Sequence, residues 1–181
     1  MARIANKTAK EANDIAKFAN NPQIELRADE KFIFTFFGCN WQGTQNYQTY
    51  VTGKQVVLIN NSGGMPTSLI GVSIPNSNYE WQLWLYGDSE RNIKIDLPYD
   101  IPAGSSRKIF IDVAAVTSRW NDSSSAPNAD INSQVSDFLK NNSDWQWNFE
   151  FGNAGIAILK LGAKASDKSF LEFEQNFCLD W

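Results

Sequence analysis

Carboxylates are the residues of this chain whose types and spacing come nearest to catalytic chemistry. Three pairs, Asp88 with Glu90, Asp96 with Asp100 and Glu172 with Glu174, are close along the sequence, and paired carboxylates are what glycoside hydrolysis needs as acid and base. Closeness along the chain does not set the distance across a cleft, and Glu172 and Glu174 alternate with Leu171 and Phe173 as the solvent side of a strand does. There is no histidine, which removes Ser-His-Asp and Cys-His nucleophiles, histidine zinc sites and histidine pH switches. Cys39 and Cys178 stand in no metal-ligand spacing; two buried thiols are the default, with a disulfide between the first and last strands as the alternative. Neither a phosphate-cradling glycine loop nor a nucleophile elbow occurs. The chain therefore reads as a non-enzyme with no cofactor and no metal.

Aromatic side chains set among amides offer a second kind of chemistry, recognition. The stretch from Cys39 to Tyr50 places Trp41, Tyr47 and Tyr50 among Asn, Gln and Thr, a mixture in which rings stack on apolar faces and amides satisfy hydroxyl or headgroup oxygens. From Glu80 to Tyr86, alternation sends Trp81, Leu83 and Leu85 to one face and Gln82, Trp84 and Tyr86 to the other. With the aliphatic face inside, Trp84 and Tyr86 must either lie beneath a helix or form a binding surface. Trp145, Trp147, Phe149 and Phe151 share one face of a further strand, and at roughly 150–250 Å² apiece they read as core.

The elements that must hold these residues follow from periodicity. Alanines 2, 5, 9, 12, 16 and 19 repeat at spacings of three and four, so Ala5, Ala9, Ala12, Ala16 and Ala19, with Ile15 beside them, line one face of an amphipathic helix over residues 1–20. Asn20-Asn21-Pro22 ends it. From Ile24 the period becomes two, and strands are expected near 31–38, 48–60, 67–74, 79–86, 91–97, 106–114, 144–152, 155–162 and 168–178. Residues 117–130 read as a long surface loop, after which Asp130 caps a short helix near 131–140 carrying Ile131, Val135, Phe138 and Leu139. The expectation is a single domain, 1–181, with the helix of residues 1–20 leading a mainly β body, 24–181, built as an antiparallel β-sandwich of about nine short strands.

Charge is uneven. The net −4 divides into +2 over residues 1–20, where Arg3, Lys7, Lys10 and Lys17 face Glu11 and Asp14, and −6 over the rest. An acidic body argues against nucleic acid as a partner. The N-terminal stretch has charges and no apolar core, so it reads as neither a secretory signal nor a span; synthesis in the cytoplasm is expected, with release and membrane association afterwards as an option.

A basic-leaning amphipathic helix ahead of a Trp- and Tyr-rich β-sandwich resembles the layout of actinoporins. The acidic, Trp-rich aegerolysins are similar in composition, although they lack a leading helix. The actinoporin resemblance implies lipid or membrane binding and pore formation as an oligomer, with Trp41, Tyr47, Tyr50, Trp84 and Tyr86 taking lipid headgroups and the helix moving to insert. No motif aligns residue by residue, and an alanine stripe offers less apolar area per turn than Leu, Ile or Phe would. Small residues at this spacing suit close packing on protein. Two further readings therefore stand beside the first: a self-assembling structural protein, a homo-oligomer joined through the alanine face, and a carbohydrate-binding module in which the same aromatics take a glycan.

Overall fold

A computed structural model describes residues 2–28, 31–40, 47–75, 77, 79–120 and 131–174. In chain order the elements are α1 (Ala2–Ala19), β1 (Ile24–Ala28), β2 (Lys31–Asn40), β3 (Tyr47–Asn61), β4 (Thr67–Ser73), β5 (Gln82–Tyr86), β6 (Tyr99–Ile101), β7 (Ser105–Trp120), α2 (Ile131–Asn141), β8 (Trp145–Phe151) and β9 (Gly155–Glu174).

The strands run β5-β7-β3-β2-β9-β8-β4-β6, with β1 also paired to β3. Two long strands, β3 and β7, form the antiparallel spine, in register from Tyr47 opposite Trp120 to Asn61 opposite Ser105. β2 covers the first part of β3's other edge and β1 covers the last, each antiparallel to it. β9 is the strand that curls the sheet. Its first part pairs antiparallel with β8, up to Leu161 opposite Trp145, and from Gly162 it pairs with β2 in parallel. The two ends of the order thus become facing layers, sheet A (β1, β2, β3, β5, β7 and the end of β9) and sheet B (β4, β6, β8 and the start of β9).

The architecture is mainly β and sandwich-like, as expected, with a helix on Ala2–Ala19 and another on Ile131–Asn141. Three expectations need correction. The parallel β2–β9 pair makes the sheet mixed rather than antiparallel. Residues 155–162 and 168–178 are not two strands: Gly162–Asp167 reads as a turn, yet the chain stays extended there because it changes partner instead of direction. Residues 91–97 form no strand, since Arg91 sits at φ 61° in a turn and only Lys94 makes a bridge, to Tyr86. The short strands β1 and β6 lack the β-branched or aromatic runs that mark a strand in sequence.

The core lies between the two layers. Phe32, Phe34 and Phe36 of β2, Val57 and Ile59 of β3, and Ile109, Ile111 and Val113 of β7 meet Leu69, Ile101, Trp145, Trp147, Phe149 and Phe151 from sheet B. The aromatic face of β8 is therefore core, as its alternation implies. Phe32 stacks on Trp145, with centroids 4.5 Å apart and planes 13° from parallel, and meets Trp147 edge-on at 5.7 Å. Phe138 fastens α2 to this layer, its ring 4.5 Å from Phe34 and 5.3 Å from Phe36, with Tyr79 and Trp81 on its other sides. Among the described residues the buried indole N–H groups of Trp145 and Trp147 meet no hydrogen-bond acceptor. They lie in edge-to-face ring packing, Trp145 to Trp147 at 73° and Trp81 to Trp145 at 88°, where ring edges meet π faces.

One glycine is required by this packing. A Cβ on Gly53 would stand against Cζ at the tip of the Phe32 ring, far inside van der Waals contact. Gly53→Ala is therefore expected to push Phe32 off Trp145 and to cost about 1–3 kcal/mol, as overpacked cores do. Urea unfolding gives the loss, and a changed near-UV circular dichroism spectrum reports the displaced stack; an unchanged stability would show that the ring has room to retreat.

Candidate interaction surface

α1 is the least attached element. Residues 7, 9–17 and 19 are exposed, and Ile15, the largest apolar side chain described on the helix, is 69% exposed. The helix has a polar side carrying Lys7, Lys10 and Lys17, with Lys7 and Glu11 one turn apart at 3.9 Å. That pair is solvent-exposed and contributes little. Ala9, Ala12, Ile15, Ala16 and Ala19 face water as well. The expected cover of Trp84 and Tyr86 by this helix is thus not seen among the described residues. Ala5 lies within α1, with its side chain outside the described set.

The root of the helix, by contrast, is tightly held. Asn20 N–H reaches Ala16 O at 3.1 Å and the Asn21 side chain donates to Lys17 O at 3.0 Å, capping the last turn. Beyond it, the fully buried Asn61 side chain ties four segments together. Its Oδ1 accepts from the backbone N–H of Gln23 (3.1 Å) and of Gly63 (3.2 Å), and its Nδ2 is directed at the carbonyls of Met65 (2.8 Å), Pro102 (3.3 Å) and Ile101 (3.4 Å). Gly63 and Gly64 leave no space for a Cβ against the backbone of Asn21–Gln23 and of Ala19. The helix therefore leaves the body from a fixed base.

Of the aromatic residues singled out from sequence, three have described side chains: Tyr50, Trp84 and Tyr86. Tyr50 is 2% exposed, its ring 6.4 Å from that of Phe37. Trp41 and the side chain of Tyr47 lie outside the described residues, as do Asp130, Cys178, the side chain of Cys39 and most of the 117–130 loop. Trp84 and Tyr86 are half-buried on the outer face of sheet A, opposite Asp112 and Phe110. Arg91, which sequence reasoning passed over, organises that face. Its guanidinium forms a forked pair with Asp112 (Nη2–Oδ1 3.0 Å, Nε–Oδ1 3.2 Å) and lies 5.3 Å from the Phe110 ring centroid, with Lys108 Nζ 5.7 Å from the same ring.

The carboxylate pairs are engaged separately. Asp88 accepts from the backbone N–H of Ile93 (2.7 Å) and of Asn92 (3.2 Å), closing the turn that carries Arg91, while Glu90 takes the Asn92 side-chain amide. Asp100 accepts from Ser68 Oγ at 2.7 Å beside an open recess of about 430 Å³ between Pro66, Pro102 and Asn153. The side chains of Glu172 and Glu174 are outside the described residues. Among the described residues no group of three or more potential ligands could hold a metal, and no helix is long and apolar enough to cross a membrane.

No family model matches the chain. No curated protein matches it either. Among solved structures it is similar to the apo PCuAC domain of PmoF2 (TM-score 0.40, 14% identity, 84% of this chain and 100% of that one), the apo PCuAC domain of PmoF1 (0.38, 14%, 78% and 94%) and the copper-bound PCuAC domain of PmoF2 (0.35, 16%, 79% and 93%). At these scores the likeness transfers neither ligand nor activity to this chain.

These matches correct the expected kinship: they are PCuAC domains, not actinoporins or aegerolysins. The lipid-binding and pore-forming reading goes with that kinship; of the aromatics assigned to headgroups, Tyr50 is buried. The alternatives, a self-assembling structural protein and a carbohydrate-binding module, gain no support from the comparisons. No nucleic-acid partner is indicated.

Two outcomes test the geometry. Asn61→Ala strands two N–H groups and three carbonyls at the helix root, and a loss of about 2–4 kcal/mol in urea unfolding is expected; a loss within experimental error would show that water replaces the amide. The bond from Ile93 N–H, and then those from the rest of the turn, hold the Asp88 carboxyl below its ordinary value. A depressed carboxylate adds stability above the unfolded-state value and loses it as the pH falls through the folded one. The stability gap between the native chain and Asp88→Asn is thus expected to close on acidification through the carboxylate range, and a gap independent of pH would refute the assignment.

Proposed function

We propose that this chain is a non-catalytic protein-binding module that engages its partner through α1, and that the partner is a second copy of the chain. The observation that carries the reading is the exposure of the helix's alanine and isoleucine face on a fixed root. A helix in a protein, α1 with its 18 residues included, takes most of its stability from packing an apolar face. Small side chains on that face allow a partner's backbone to approach closely.

Charge favours the same chain as partner. The +2 of residues 1–20 and the −6 of the remainder attract when the helix of one copy meets the body of another. Catalysis has less to stand on: Asp88 and Asp100 already serve a turn and a cross-strand hydrogen bond.

Sedimentation equilibrium of the full chain over two decades of concentration tests the proposal. A reversible dimer is expected, weakened by salt because opposite charges steer it. Ala12→Glu combined with Ile15→Glu, which keeps good helix formers on α1 while charging its apolar face, is expected to return it to monomer. A monomer at every concentration, or a dimer indifferent to the double variant, would overturn the reading.

A further inference from the structure

If α1 docks on a second copy, some surface of that copy must receive it, and two sheet faces are open to water. The outer face of sheet A carries Ile33 (43% exposed), Leu58, Trp84 and Tyr86, but its exposed charges Lys31, Lys54 and Lys108 are cationic, while Arg27 and Arg91 are already matched by Glu25 and Asp112. A helix whose polar side displays Lys7, Lys10 and Lys17 is repelled there.

The outer face of sheet B is different. Ile156 (61% exposed) and Ile158 (53%) stand on β9, and Ile70 (43%) stands two strands away on β4. Between them runs β8, with Asn148 opposite Ile158 and Glu150 opposite Ile156. Gly71 pairs with Glu150, and its missing side chain leaves the Glu150 carboxylate lying over β4, since a Cβ on Gly71 would come within 3.3 Å of Oε2. The result is a shallow floor of branched aliphatics whose exposed charges are Glu150 on β8, Asp100 at the β6 side and Lys160 beyond Ile158 on β9, a net negative balance where sheet A's outer face is net positive. Strands about 4.8 Å apart place β9 and β4 about 10 Å from each other, the diameter of a helix.

We infer that the outer face of sheet B, with Ile70, Ile156 and Ile158 as its floor and Glu150 as the carboxylate nearest that floor, is the seat for α1 of a second copy. This rests on the reading that α1 is the recognition element, and it adds the receiving surface. The alanine face lies on the isoleucines, and Glu150, leaning over β4, stands at the flank of the helix, where a lysine stem reaching down from the polar side brings its ammonium to the carboxylate. Because each copy has one helix and one seat, reciprocal docking closes a twofold dimer with two equivalent contacts.

The test compares the full chain with Ile158→Lys, Glu150→Lys, Ile33→Lys and the Ala12→Glu/Ile15→Glu double variant by sedimentation equilibrium. Near-UV circular dichroism from the Trp145–Trp147 layer confirms that each has folded. Ile158→Lys and Glu150→Lys are each expected to weaken the dimer about tenfold or more, as central interface residues do, while Ile33→Lys on sheet A changes it by no more than about twofold. Loss of the dimer with Ile33→Lys alone would move the seat to sheet A and overturn the inference. A dimer abolished by the helix variant but indifferent to Ile158→Lys and Glu150→Lys would point to helix pairing with helix; the seat would fall while the role of α1 stood. A native chain that never associates would remove the role of α1 and the seat with it.

Discussion

A buried amide with every hydrogen-bonding position occupied is the constraint on which this molecule turns. Asn61 ends the longest ladder of the structure, and its side chain reaches the start of β1, the turn into β4 and the turn between β6 and β7. Those segments belong to both layers, so one side chain registers sheet A against sheet B at that end. An amide suits the place because it both donates and accepts; a carboxylate would face three carbonyls, and a hydroxyl would be too short to span them. The same bond to Gln23 N–H aims the chain that leads back to α1. What the helix presents, and where, is thereby decided inside the body.

At the middle of the molecule the constraint is steric instead of polar. The Phe32–Trp145 stack, the space kept open by Gly53 and the Phe138 ring from α2 interlock, so the aromatic layer has little freedom to rearrange. Such a body acts as a pedestal. Its outer faces can carry exposed side chains without loss of order, because the order comes from the layer beneath them. The isoleucines on β9 face water above that layer.

Sequence alone reads well where one interaction dominates. The alanine period gave α1, and the alternation of Trp145, Trp147, Phe149 and Phe151 gave the core face of β8, since burial of large rings outweighs everything else in that strand. Phe138 was placed on α2 by its spacing with Val135. Reading failed where a long-range partner decides. Gly162 to Asp167 has the composition of a turn and becomes the point where β9 changes sheets, and Arg91 looks like one more strand residue until Asp112 and Phe110, far along the chain, supply its partners. Asn61 was invisible for the same reason: an asparagine before Ser62-Gly63-Gly64 reads as turn chemistry, and nothing local signals that its amide is buried. The receiving face of sheet B escaped notice because alternation gives two faces to a strand without saying that the outer one keeps isoleucine.

The crossover of β9 also has a temporal side. Thr35 on β2 meets Ser166 on β9 across 131 residues of chain, in the parallel pairing that joins the two layers. During synthesis β2 and β3 emerge close together and can pair, but the other edge of β2 stays open until the chain 131 residues further on has been made. An open edge is where strands of other chains add. The nascent chain therefore carries one unprotected edge until β9 arrives to close it. Chains truncated before Gly162 would leave β2 without its parallel partner, so termination or slow elongation ahead of β9 would favour aggregation over folding.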